Sequence, residues 1–135
     1  MSKAYLLDTN TITYILKKNT DVITKFQQVL KEGCIIILSP VAFYQIKRWL
    51  LKKNATRQLK DFEELASLLQ FREINKAVWE TAAELWSDLQ RKGNSCPDDD
   101  IIIAAQAQSI GAIVVTNNTK HFELFEVTID NWVSS

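Results

Sequence analysis

The chain has 135 residues, 47% of them apolar, and its 16 basic residues balance 16 acidic ones. This length and composition predict one compact globular domain over residues 1–135, and the zero net charge gives no argument of its own for a nucleic-acid partner. Two cysteines are too few for a disulfide scaffold and match no zinc-binding sequence pattern. The sequence has no signal-peptide pattern and no apolar run near ~20 residues, so we expect a cytoplasmic protein without a membrane span.

The first half of the chain alternates strand and helix patterns. Residues 3–7 form a short apolar run, which predicts a buried strand, and a helix is expected to begin near Thr9 or Asn10, whose side chains can cap it. Apolar residues at helical spacing predict a helix over residues 21–31. Residues 34–38 are all apolar, as is typical of a strand covered on both faces. Ser39 and Pro40 then open a further helix, and another is predicted over residues 57–69.

The second half continues this alternation. A short strand is predicted over residues 71–74, an amphipathic helix over residues 76–91 ending at Gly93, and another helix from residues 97–100 to residues 110–111. A strand over residues 113–116, a helical turn near residues 121–125 and a last strand over residues 127–129 complete the chain. Strands that alternate with helices predict an α/β protein: a three-layer α/β/α sandwich around a parallel sheet of about five strands.

Four polar residues fall where predicted strands give way to helices. Asp8, Asp100 and Asn118 lie at such junctions, and Gln45 lies about one and a half turns into the helix after Ser39. Ligands of open parallel sheets bind beyond the carboxyl ends of the strands, and oxygen atoms gathered there suit a divalent cation. These four residues are therefore the candidate catalytic set.

Asp100 has the most constrained position of the four. Ile103, Ala104 and Ala107 follow at helical spacing, so Asp100 lies at the head of the predicted buried stripe. A carboxylate there is unfavourable unless a cation or a donor meets it. The alternative is structural, since acidic residues at a helix N-terminus cap it and interact favourably with its dipole.

Other polar residues near the strand ends have both a functional and a structural interpretation. Asp8 could form only an Asx turn, and Asn10 only a helix cap. Thr116 could donate its hydroxyl to a substrate phosphate or simply end a strand. Asp98 is a second candidate acid beside Asp100, whereas His121 is expected to be a structural residue at the surface.

A basic cluster surrounds one tryptophan in the helix after Ser39. Residues 41–72 contain seven Lys or Arg against three Asp or Glu, and Lys47 and Arg48 directly precede Trp49, with Lys52 and Lys53 after it. Such a cluster could bind phosphates while the indole stacks on a base of single-stranded RNA. A solvated helix face explains the same pattern, and this alternative stays open.

Four segments of the chain, in order, resemble the motifs of PIN-domain proteins, specifically the toxin nucleases of the VapC type. They are residues 6–10 (Leu-Leu-Asp-Thr-Asn), 39–48 (beginning Ser-Pro-Val-Ala), 98–105 (beginning Asp-Asp-Asp-Ile) and 115–122 (beginning Val-Thr-Asn-Asn). Trp132 near the end is also familiar from this family. The resemblance runs nearly end to end with compatible spacing.

The resemblance implies a Mg²⁺- or Mn²⁺-dependent endoribonuclease, dimeric and neutralised by a small antitoxin protein that inserts into the active-site groove. On this basis Asp8 and Asp100 hold the metal, Asp98 is a nearby supporting acid, and Asn118 takes the fourth position. Thr116, Asn10, Lys47 and Arg48 are the candidate substrate-binding residues.

Gln45 is the main departure, because the family has glutamate at this place. Glutamine keeps an oxygen ligand but loses a charge, which predicts weaker metal binding and a low-activity enzyme. Two alternatives stay open: a catalytically silent PIN-fold module that binds RNA or protein, and a phosphatase with Asp8 as nucleophile. The phosphatase lacks its second acid, since residue 10 is Asn.

Overall fold

The computed structural model describes residues 3–133, within which five strands alternate with seven helices. The strands are β1 (Ala4–Leu7), β2 (Ile35–Leu38), β3 (Gln70–Phe71), β4 (Ile113–Val115) and β5 (Ile129–Asp130). The helices are α1 (Thr9–Leu16), α2 (Thr20–Lys31), α3 (Pro40–Lys52), α4 (Thr56–Ala66), α5 (Lys76–Arg91), α6 (Asp98–Ile110) and α7 (Thr119–Phe122).

The five strands form one parallel sheet in the order β3-β2-β1-β4-β5. From β1 the chain first builds the sheet toward β3, and it then returns to add β4 and β5 on the other side of β1. The direction of winding therefore reverses between β1 and β4. This switch point is where parallel sheets open a crevice for ligands at the carboxyl ends of their strands.

Alternating side chains of the strands fill two cores, one on each face of the sheet. Tyr5 and Leu7 of β1 pack with residues from α1 to α4 on one face, and Leu6 packs with residues of α5 and α6 on the other. The predicted three-layer α/β/α sandwich with five parallel strands is confirmed. The small side chains of Ala104 and Ala105 are fully buried, which lets α6 lie close to the sheet.

Several helix ends show why the elements begin and end where they do. Asn19 and Asn75 cap α2 and α5, and Ser39 caps α3 just before its first-turn proline. The predicted cap of the first helix was misplaced, since Asp8 itself accepts the hydrogen bond from Thr11 N at 2.8 Å. Gly111 ends α6 at a φ of +74°, a backbone conformation that favours glycine.

The edge strands are where the predicted boundaries were wrong. β3 begins one residue earlier than predicted and has two residues, and β5 also has two and begins two residues later. Each edge strand pairs along one side with a neighbour of the sheet. None of the helices in the described part of the chain is long and apolar enough to cross a membrane.

Candidate active site

Asp8 lies at the switch point of the sheet and is almost fully buried, with 3% of its surface exposed. Its backbone N–H donates to Val115 O at 3.1 Å, which ties the end of β1 to the end of β4. Burial raises the pKa of its carboxyl group, and hydrogen bonds from Thr116 and Thr11 oppose this rise. The site thus holds a carboxylate in a poorly solvated position with only neutral donors to stabilise it.

Two further carboxylates come from the first turn of α6. Asp100 is buried, with 9% of its surface exposed, and Asp99 is half-buried. Burial raises the pKa of Asp100, and the charges of Asp99 and Asp8 raise it further, whereas His121 lowers it. This mutual repulsion places Asp8, Asp99 and Asp100 in one electrostatic cluster.

Asp98 is not part of this cluster in the structure, although the sequence nominated it as the supporting acid. Asp98 is exposed, and Asp99 instead lines the pocket beside Asp100. Successive helical residues are rotated by about 100°, so Asp98 points away from the direction in which Asp99 faces α3. None of the three aspartates caps the helix, because the N-cap residue is Pro97 and makes no side-chain cap hydrogen bond. The helix dipole remains as their structural contribution.

Gln45 joins the three helices that border the site. Its side-chain oxygen accepts a hydrogen bond from Thr9 Oγ1 at 2.6 Å, and its Nε2 donates to Asp99 Oδ2 at 3.0 Å. The amide therefore links α1, α3 and α6 through two hydrogen bonds. A carboxylate at position 45 could accept from Thr9 but would face Asp99 with a second negative oxygen.

His121, which the sequence predicts to be a structural surface residue, contacts the carboxylate cluster directly. Its Nδ1 lies 2.6 Å from Asp100 Oδ2 and 2.8 Å from Asn118 Nδ2. Asn118 and His121 are three residues apart around the start of α7, a spacing that places two side chains on one helix face and was visible in the sequence. Asn118 thus contacts the cluster through His121, while its backbone N–H donates to Thr116 Oγ1 at 2.8 Å.

Cys96 lies near Asp100, in the loop before α6. Its sulfur, an Asp100 oxygen and a ring nitrogen of His121 all lie within 4.8 Å of one another. Burial raises the pKa of the Cys96 thiol to about 11, with further increases from the charges of Asp100, Asp99 and Asp98. The free thiol is therefore protonated at neutral pH.

A shallow pocket of about 200 Å³ exposes part of this cluster to solvent. Its walls are Asp8, Thr9, Asn10, Gln45, Arg48, Trp49, Asp99 and Asp100. Of the four candidate substrate-binding residues, the structure places Asn10 and Arg48 here. It does not place Lys47 here, because that side chain pairs with Glu63 of α4 at 3.5 Å. Thr116 is fully buried, so its hydroxyl positions Asp8 and Asn118 and is out of reach of a substrate.

Positive charge is concentrated around Trp49 at the rim of the pocket. The indole is half exposed, and Lys52 Nζ and Lys53 Nζ each lie 5.1 Å from its ring centroid. Arg48 lies over the exposed ring of Tyr44 at 5.0 Å. The rim of the pocket is thus positively charged and its interior negatively charged. Such a rim can bind a phosphate backbone, while the interior can bind a cation.

The donor atoms of the cluster are of the type that a hard divalent cation prefers, and all three side chains line one pocket. Asp8, Asp99 and Asp100 supply carboxylate oxygens, the ligands that Mg²⁺ and Mn²⁺ prefer. Among residues 3–133, no Lys or Arg nitrogen lies within 4.0 Å of these carboxylates, and His121 is the one basic partner at that distance. Among these residues, Asp8 and Asp99 thus have no basic partner within this distance and Asp100 has only His121, so a bound cation would supply positive charge that the side chains do not.

Comparison with known protein families matches residues 5–126 to the PIN domain. The chain is 26% identical over 132 residues to ribonuclease VapC2 of Haemophilus influenzae, covering 96% of this chain and 98% of that protein. It is 29% identical over 120 residues to the tRNA(fMet)-specific endonuclease VapC of Shigella flexneri, covering 88% and 89% of the two chains.

Solved structures with a similar fold include two complexes bound to DNA. DNA-bound VapBC from Salmonella typhimurium has a TM-score of 0.87 at 27% identity, over 98% of this chain and 100% of that one. VapBC2 from Rickettsia felis, bound to a promoter DNA fragment, has a TM-score of 0.88 at 24% identity, over 96% and 99%. The family match covers most of the chain, and its fold agrees with these structures. The chain therefore belongs to the PIN domain family.

Proposed function

We propose that this protein is a divalent-metal-dependent endoribonuclease, the toxin of a toxin–antitoxin pair. The observation that carries this proposal is the gathering of Asp8, Asp99 and Asp100 around one pocket at the switch point of the sheet. The similarity to ribonuclease VapC2 and to the tRNA(fMet)-specific endonuclease supports RNA as the substrate. We expect it to act in the cytoplasm.

In this proposal the metal is Mg²⁺ or Mn²⁺, held by Asp8 and Asp100, with Asp99 as the third acid in place of Asp98. When bound, such an ion lowers the pKa of a coordinated water and offsets negative charge on the scissile phosphate. The protein orients the carboxylates that would hold the ion. Thr11 and Thr116 fix the Asp8 carboxylate by hydrogen bonds.

The rim residues provide the contacts to RNA in this proposal. Arg48, Lys52 and Lys53 attract the phosphate backbone, and exposed Trp49 offers a face on which a base can stack. These contacts leave the negatively charged pocket to the metal and to the phosphate that is cleaved.

Gln45 reduces the activity that this arrangement can reach. Its side-chain oxygen accepts a hydrogen bond from Thr9, and its side-chain nitrogen donates one to Asp99. Gln45 and Asp99, both at the proposed metal site, are therefore already hydrogen-bonded to each other. The Gln45 amide thus engages one of the two Asp99 oxygens that could hold a metal. The same satisfied amide favours a second candidate function, a catalytically silent module that binds RNA or protein.

The partners in this proposal are a small antitoxin protein and a second copy of the chain. Solved relatives are VapBC complexes, and the antitoxin proposal rests on them. A groove of about 280 Å³ between α1 and α3 adjoins the active-site pocket and includes Leu16, Ile46, Trp49 and Leu50. Its apolar lining and its continuity with the pocket suit a segment that covers the active site.

Cleavage of RNA by three forms of the full chain tests the proposal. Wild type, Gln45→Glu and Gln45→Glu/Asp100→Asn are incubated with Mn²⁺ and total tRNA, including tRNA(fMet), with a chelator as the control. We expect Gln45→Glu to cut fastest, wild type to cut slowly, and the double variant and all chelated samples not to cut. RNA binding without cleavage by both wild type and Gln45→Glu would favour the silent module instead.

A further inference from the structure

The loop before α6 brings a thiol to the edge of the carboxylate cluster. Ligand atoms of Cys96, Asp100 and His121 lie within 4.8 Å of one another, and the Asp100–His121 pair is already at 2.6 Å. A thiolate, an imidazole and a carboxylate are typical ligands of zinc sites that keep a fourth position open. Mg²⁺ gains nothing from sulfur, since it prefers oxygen ligands. This donor set therefore selects a different class of ion from the carboxylate cluster beside it.

We propose that Cys96, Asp100 and His121 form a second metal site, for a thiophilic divalent cation of the Zn²⁺ class. With zinc–ligand bonds of ~2.0–2.3 Å, tetrahedral geometry sets the ligand atoms roughly 3.3–3.6 Å apart. Asp100 and His121 must then separate by less than ~1 Å, and Cys96 must approach them by at most ~1.2 Å. Because the ligand is the thiolate, binding releases the thiol proton to solvent.

The hydrogen bonding of His121 supports a cation at this place. Its Nδ1 lies within 2.8 Å of both Asp100 Oδ2 and Asn118 Nδ2. One ring nitrogen carries either one proton or one lone pair, so it cannot satisfy a carboxylate acceptor and an amide donor together. A cation coordinated by Asp100 and His121 would replace this competition with two metal–ligand bonds.

The two proposed metal sites share Asp100, so an ion bound at the second site affects metal binding at the first. An ion held by Cys96, Asp100 and His121 occupies a carboxylate that the proposed nuclease centre needs. Zn²⁺ is therefore expected to oppose Mg²⁺ or Mn²⁺ at the centre. The existence of the second site does not rest on the proposed nuclease activity, because it concerns only how three side chains bind a cation.

Titration of the reduced, metal-free chain with Co²⁺ tests this proposal without any cleavage assay. Co²⁺ is a spectroscopic substitute for Zn²⁺, and coordination by a thiolate produces a charge-transfer band in the near ultraviolet. We expect the band in wild type and in Cys34→Ser, which removes the other thiol, and not in Cys96→Ser. His121→Ala and Asp100→Asn should each weaken Co²⁺ binding by about tenfold or more while keeping the band at saturation.

Two results of the Co²⁺ titration would contradict the second site. A band that persists in Cys96→Ser, or no band in wild type while Co²⁺ still binds, would overturn the second site and leave the carboxylate centre intact. Unchanged affinity in Asp100→Asn would overturn the shared ligand. Thermal unfolding of each metal-free variant checks that the chain is folded, and Cys96→Ser removes only one half-buried sulfur atom.

Discussion

Replacing Gln45 by glutamate should make the metal-free protein less stable and more dependent on a divalent cation. In wild type the amide donates to Asp99 Oδ2 over 3.0 Å. In Gln45→Glu a second negative oxygen takes the place of that donor. The prediction concerns the free energy of unfolding, so it can be measured whether or not the chain cuts RNA.

The size of the effect follows from this distance. Two unit charges 3.0 Å apart repel by ~5.5 kcal/mol at an effective dielectric constant of about 20. Proton uptake limits the penalty, because protonating a glutamate of ordinary pKa at pH 7 costs only ~3.7 kcal/mol. The loss of a hydrogen bond to a charged group sets a lower bound of ~1.5 kcal/mol. We therefore expect Gln45→Glu to lose about 2–4 kcal/mol of stability at pH 7 in the presence of chelator.

Thermal unfolding with and without Mn²⁺ is the assay. For a chain of this size, ~2 kcal/mol lowers Tm by about 6 °C or more. Saturating Mn²⁺ should raise the Tm of Gln45→Glu more than that of wild type, since an ion bound only by the folded state stabilises it. Gln27→Glu, which adds the same charge at an exposed position of α2, is the control and should change neither value much. Equal Tm values for wild type and Gln45→Glu in chelator would refute the reasoning.

Further predictions concern Asp8, the basic rim and the core. Burial raises the folded-state pKa of Asp8, so its contribution to stability is lost as pH rises through that pKa. Asp8→Asn should therefore be more stable than metal-free wild type at pH 7, by a margin that shrinks toward pH 4; a constant margin in pH-dependent melts would contradict this. Lys52→Ala/Lys53→Ala should weaken RNA binding and make the slope of log K against log salt concentration shallower by up to about two. An unchanged slope would show that these lysines do not contact RNA phosphates. Leu6→Ala, at a fully buried position, should cost about 2–5 kcal/mol in chemical denaturation, and a loss below ~1 kcal/mol would contradict its place in the core.

The interior of the fold was predictable because its strands carry their signal locally. Four apolar residues in a row in β2 require cover on both faces, and together with the alternation of strands and helices this requirement predicts helices on both sides of the sheet. The edge strands carry no comparable signal. Both residues of β3 are exposed, and their pairing with β2 comes from tertiary contacts rather than from their sequence.

The candidate site was predictable to the extent that strand ends fix it. Asp8 and Asp100 follow from the rule that ligands bind at the carboxyl ends of parallel strands. Asp99 could not be chosen over Asp98 without the position of α3, because the distinction depends on which residue faces Gln45, 54 positions earlier in the chain. Cys96 and His121 are likewise separated from each other by 24 intervening residues, and only the folded chain brings both of them beside Asp100.

The charges of the site also suggest what Gln45 does for the folded chain. Asp8 and Asp100 are buried, and the charges around them raise their pKa values further, so the metal-free centre already destabilises the fold. A fourth carboxylate would add to this repulsion, whereas the amide of Gln45 replaces it with a hydrogen bond to Asp99. The glutamine thus favours the metal-free protein at the expense of metal affinity. A chain selected for binding and a chain selected for slow cleavage would both benefit from that exchange, and Mn²⁺-dependent cleavage by the wild-type chain distinguishes them.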